Sequence, residues 1–224
     1  MRPLRLGDPA VRRTALVGSR VREGRSGTLT FAAVRTTIEQ HGEVAVEEEQ
    51  TIVYRAAASA GDAPAPAGDS SAPPPLALDA DRPSAQYARE ARPDAVLLFR
   101  FSALTYNAHR IHYDRDYARD VEGYPGLVVH GPLQALYMLE AAASARGARP
   151  TSFEFRLSAP SFDQQQLWIT ADRAESDADG PAAGDVVRTA VHGPGGEGAT
   201  GTAGFAPLRL GHGEHEHGEH EHGE

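Results

Sequence analysis

The densest run of chemically useful side chains is residues 99–142, FRFSALTYNAHRIHYDRDYARDVEGYPGLVVHGPLQALYMLEAA. His109 and His112 follow Asn107 closely, and His130 precedes a Gly-Pro pair. An imidazole with an ordinary pKa of about 6.5 exchanges a proton near neutral pH, which makes His112 the candidate acid–base group. Asn107 has no proton-accepting state near pH 7, so its amide can only orient a water or an imidazole. His130-Gly131-Pro132 reads as a helix start, where free N–H groups and the positive end of the dipole stabilise negative charge. Gly131 lets a ligand carbonyl come close to the backbone there, and Pro132 at the first helical position donates no competing N–H. Other residues in the window have two readings each. His109 fits a hydrogen bond to the site or a surface position, and Tyr106 and Tyr124 fit a pocket wall or ordinary packing. Arg110 and Arg115 suit bidentate phosphate or carboxylate contacts, although Arg is the only basic residue type in the chain and exposed Arg is therefore common. Asp114 stands where HYDRDYARDV turns helical, and a helix cap explains it without chemistry.

These residues need a frame. From His130, the spacing of Leu133, Leu136, Tyr137, Leu139, Glu140 and Ala143 predicts a buried helix that Gly147 stops. Four strands are expected after it, over 151–160, 165–174, 185–193 and 199–207, as an antiparallel meander that wraps around the helix. The run DAVLLFRFSAL, 94–104, is expected to begin as a short apolar strand. Three further strands are expected at Asp8 to Val21, Thr28 to Glu39 and Val44 to Tyr54, separated by the turn signals GRSG and HGE. The fold class is therefore α+β. Residues 58–93 are nearly all Ala, Pro, Asp, Ser and Gly and read as a linker, and 209–224 read as a disordered tail of Gly, Glu and His. The organisation expected is strands over 1–57, linker over 58–93, a complete domain over 94–208 and the tail.

Composition excludes several classes. The chain has 224 residues, no Cys and a net charge of -9. A thiol nucleophile is ruled out, and all the basic residues being Arg rules out Schiff-base lysine chemistry. Residues 211–224 hold five Glu and no base, so the remainder is only mildly acidic and carries no nucleic-acid footprint. No apolar run approaches the ~20 residues of a spanning helix and no leader pattern opens the chain, so a cytoplasmic protein without a membrane partner is expected. The five tail His would hold metal only adventitiously, since a disordered run offers no fixed geometry, and no metal site is expected.

The run SALTYNAHRIHYD followed by GYPGLVVHGPL resembles the MaoC-like hydratase family with its hot-dog fold. Within it, the likeness is to the branch of fungal-type mitochondrial 3-hydroxyacyl-thioester dehydratases and mesaconyl-C4-CoA hydratases. The family pattern is approximately S-G-D-x-N-P-x-H-x-D and then A-H-G. Placing His112 on the family histidine puts Asn107 on its catalytic aspartate, His109 on its asparagine, Arg110 on its proline and Asp114 on its last aspartate. The resemblance implies reversible hydration or dehydration of a 2-enoyl or 3-hydroxyacyl thioester of CoA or acyl carrier protein, a hydro-lyase of fatty acid metabolism that needs no cofactor. It gives His112 the acid/base role, Asn107 the water and the Gly131 N–H the thioester carbonyl, with Tyr106, His109, Arg110 and His130 as substrate-binding neighbours. Mesaconyl-C4-CoA is the leading substrate. A hot-dog thioesterase and a non-catalytic subunit supporting an active partner are the alternatives; the missing acid at 107 weighs against the first and for the second. Members of the branch carry two hot-dog halves, so residues 1–57 read as the closing strands of a truncated first half, and a homodimer is expected to cover their apolar face.

Overall fold

A computed structural model describes residues 3–24, 27–55, 77–174 and 186–206. The chain divides into two compact units, Met1–Ser71 and Ala72–Glu224. The first is an antiparallel sheet in which β1 (Val11–Gly24), β2 (Gly27–Gln40) and β3 (Glu43–Arg55) lie side by side in chain order. Strand-forming Thr, Val and Ile alternate along it, and β2 turns into β3 through His41 and Gly42, both at positive φ, as a tight hairpin requires. The Gln40 amide bonds the backbone of Arg5 and Asp8 and ties the incoming chain to this turn.

In the second unit, β4 (Tyr87–Ala91), β5 (Ser152–Leu157), β6 (Leu167–Arg173), β7 (Val186–Gly193) and β8 (Gly196–Gly204) form one antiparallel sheet in the order β4-β6-β7-β8-β5. Its face packs on α3 (Gly131–Arg146), where Met138, Ala141 and Ala142 meet Leu167, Ile169, Val187, Val191 and Ala203. Two alanines at the contact let the helix sit close to the sheet, and Gly147 at φ 70 ends it. The helix and the α+β architecture are as the sequence led us to expect.

Three expectations change. Residues 94–104 are not a strand: α1 spans Ala95–Thr105, with the Asp94 carboxylate accepting the Leu97 N–H at 2.7 Å as its cap. Its buried residues Leu98 and Ser102 are four apart, a helical spacing hidden in an apolar run whose period does not discriminate. The four strands after α3 are not a simple meander, because β5 pairs with β8 at the far edge and only β6, β7 and β8 follow one another. The segment 58–93 is not linker to its end: Tyr87–Ala91 pairs with β6, and Leu78 and Ala80 accept hydrogen bonds from Gln166 and Trp168. Its composition cannot build a core, but its backbone groups are satisfied by the edge of a sheet that has one already. Residues 56–76 and the expected tail lie outside the described residues.

Candidate active site

Between α1 and α3 the chain makes a 3-10 turn, Arg110–His112, followed by α2 (Arg115–Asp120). Tyr106 ends α1 in the left-handed region at φ 52, and the Asn107 N–H bonds the Ser102 carbonyl at 2.9 Å. The Asn107 Oδ1 then accepts the His109 N–H at 3.0 Å, an Asx turn that starts the turn bearing His112. Asp114 caps α2 by accepting the Tyr117 N–H, so the non-chemical reading of this residue holds.

The His112 ring is buried, with Nδ1 2.7 Å from the Val128 carbonyl oxygen. A carbonyl only accepts, so Nδ1 carries the hydrogen and a neutral ring keeps its lone pair on Nε2. Among the described residues Nε2 has no hydrogen-bond partner. Burial pushes the His112 pKa down and His109 pushes it further, against the Val128 bond, which raises it. The ring stacks on His130 with centroids 3.8 Å apart and 18° between planes, and meets His109 edge-on at 5.5 Å. His130 is fully buried, with Nε2 2.8 Å from Ser102 Oγ and Phe101 against its edge. Burial and the neighbouring His112 lower its pKa to about 4, so both rings are neutral at pH 7.

His130 is also the N-cap residue of α3, and no side chain caps that terminus. The stacked rings therefore put His112 beside the start of α3. Gly131 has a packing reason as well: a Cβ there would collide with Leu157 Cδ1. Next to Asn107 an open groove of about 390 Å³ is lined by Phe99, Ser102, Ala103, Tyr106, Ala108 and Tyr113.

Not every candidate converges on this point. Tyr106 borders the groove but is 96% exposed. The Arg110 guanidinium pairs with Asp114 at 2.6 Å and lies over the Tyr117 ring, so its fork is already engaged. Arg115 bonds the buried carboxylate of Asp163, and Tyr124 packs in the apolar cluster of Leu98, Ile111, Leu127 and Phe162. Sequence reasoning missed Ser102, which bonds His130, and Asp163, which holds Arg115. Ser102 was hidden by the strand reading, and Asp163 belongs to a turn far along the chain.

Residues 1–163 match the family described as hydroxyacyl-thioester dehydratase type 2. The chain belongs to that family. A relative within reach is mesaconyl-C(4)-CoA hydratase of Chloroflexus aurantiacus, 44% identical over 185 residues, which are 80% of this chain and 61% of the relative. The mitochondrial hydroxyacyl-thioester dehydratase type 2 of Schizosaccharomyces pombe is 40% identical over 103 residues, 40% of this chain and 34% of that protein. This family member thus spans about 61% and 34% of the two curated relatives. Its fold is shared by a MaoC-like dehydratase of Phytophthora capsici at a TM-score of 0.64 and 15% identity, over 93% of this chain and 69% of that one. The sheet wrapped on α3 is therefore the hot-dog fold. Among the described residues no helix is long and apolar enough to cross a membrane.

Proposed function

We propose that the chain catalyses the reversible hydration of a 2-enoyl thioester, carried by one observation: a buried neutral His112 whose Nδ1–H is held by Val128 leaves Nε2 as a base beside the uncapped start of α3. In hydration, Nε2 takes a proton from water as the water oxygen bonds C3 and the C2=C3 pair moves toward the thioester carbonyl. The Gly131 N–H receives the charge that grows on that oxygen. The imidazolium returns a proton to C2, so one water is added and His112 ends neutral. Asn107 uses its oxygen in the Asx turn, which leaves its amide N–H to hold the water. Imidazole and backbone supply all the chemistry, so the reading calls on no cofactor.

The relatives' names support a CoA thioester, with mesaconyl-C4-CoA ahead of a straight-chain acyl group, and acyl carrier protein as the other carrier. A cytoplasmic homodimer acting in fatty acid metabolism completes the proposal. The nearby carboxylates, Asp114 and Asp163, are each held by an arginine, and neither is placed as a thioesterase base. Purified protein incubated with crotonyl-CoA and mesaconyl-CoA tests the reading. Loss of enoyl absorbance without thiol is expected; release of thiol, or silence on both substrates, would overturn it.

A further inference from the structure

Asp163 is a carboxylate at 1% exposure in a turn that no step of the proposed chemistry touches. A charge so buried is costly unless fully paired, and it is paired in an informative way. Its Oδ2 accepts Arg115 Nη2 at 2.5 Å, and its Oδ1 accepts Arg115 Nη1 at 3.2 Å and the Leu127 N–H at 2.8 Å. Its own N–H donates to the Leu127 carbonyl at 2.9 Å, and the Val129 N–H donates to the Ser161 carbonyl at 2.8 Å. The strap Leu127–Val129 is thereby fixed along the Ser161–Asp163 turn, with Val128 bridged to Phe162.

That strap carries the acceptor that orients the base. Val128 donates its N–H to the Ile111 carbonyl at 2.9 Å and accepts the His112 Nδ1–H at 2.7 Å. Arg115 stands three residues beyond His112, at the first position of α2. One carboxylate therefore holds both sides of the His112 hydrogen bond: the strap through the Leu127 N–H, and the segment bearing His112 through a bidentate guanidinium. Such a fork fixes direction as well as distance, which an ammonium does not.

We propose that Arg115 and Asp163 are positioning residues that lock His112 in the Nδ1–H tautomer and so keep Nε2 as the base. The kinetic part of this rests on the hydration reading; the tautomer part does not. The test uses the full chain, 15N-labelled, as wild type, Asp163→Asn and Arg115→Lys, with His112 resonances assigned by their loss in His112→Gln. Long-range proton–nitrogen spectra are recorded near neutral pH beside steady-state kinetics on crotonyl-CoA. Wild type should show only the Nδ1–H form, and both variants should populate the Nε2–H form. Their kcat should fall roughly tenfold to a hundredfold, with KM moving less than about twofold, since misplacing a base costs the chemical step and not binding. If Asp163→Asn fails to fold, Arg115→Lys carries the test, because that side chain is half-exposed and keeps its charge. An unchanged tautomer in the folded variants, or a rise in KM at constant kcat, would overturn the proposal. If no thioester is turned over, the hydration reading fails and the spectra alone decide the tautomer lock.

Discussion

Replacing His112 by Ala should remove about 10²–10⁴ of the rate while the fold survives, because general acid–base catalysis is worth about that much. A loss below about tenfold would remove His112 from the mechanism. Since burial lowers its pKa, the acid limb of kcat/KM should fall below the ordinary 6.5, which a pH profile on crotonyl-CoA reads directly. Asn107→Asp should retain activity: one carboxylate oxygen accepts the same His109 N–H, so the Asx turn persists, and the other holds the water by accepting its O–H where the amide donates. Inactivity of that variant would show that the amide N–H is indispensable. His130 makes a separate claim on stability. Between pH 6.5 and about 4 the unfolded His130 binds a proton that the folded one does not, so acidification through this window favours unfolding. Urea midpoints of wild type should therefore drop more steeply across it than those of His130→Gln, and below about pH 4 the two slopes should agree. Equal slopes throughout would mean His130 is protonated in the fold. The sequence offered His112 and His130 as separate candidates; their stacking depends on a tertiary contact across 18 residues of chain that no local pattern encodes.

At the level of elements, legibility followed periodicity. α3 was readable because its apolar spacing, Pro132 start and Gly147 stop agree with one another. α1 was not, since AVLLFRFSALT is apolar almost throughout and suits a strand or a helix equally. The deciding feature is the Asp94 cap, and it is testable: Asp94→Ala should cost about 1 kcal/mol in chemical denaturation. Because α1 carries Ser102, which bonds His130, this variant should also lower kcat more than KM. Unchanged stability would leave α1 held by Leu98 and its apolar neighbours alone. β4 was missed for a different reason: five residues of ordinary composition become a strand because β6 offers an edge, and that edge lies about 80 residues away in the chain.

The two units differ in what covers their sheets. The second lays α3 on its sheet and buries eleven residues in the shared core. The first has three strands and no helix among its described residues, and three strands are marginal without a covering layer. The register fixes which residues share a face: Leu16 pairs with Val34, Val21 and Tyr54 flank Thr30, and Val46 pairs with Ile38. Leu16 is 66%, Val21 62% and Tyr54 57% exposed on that one face. An apolar strip of this kind, in a chain otherwise rich in charge, marks an association surface more often than a free one. A closed two-fold dimer would bury it with a self-complementary patch, as the proposed function expects. Light scattering at micromolar concentration should accordingly give about twice the 23.9 kDa of one chain. Replacing Leu16 and Val21 together by Glu should shift the mass toward the monomer while the far-UV spectrum of the second unit persists, since the substitutions lie outside its core. A wild-type chain that scatters as a monomer and still hydrates a CoA thioester would show that this face has no bearing on association, and the homodimer would have to be given up while the His112 site stands.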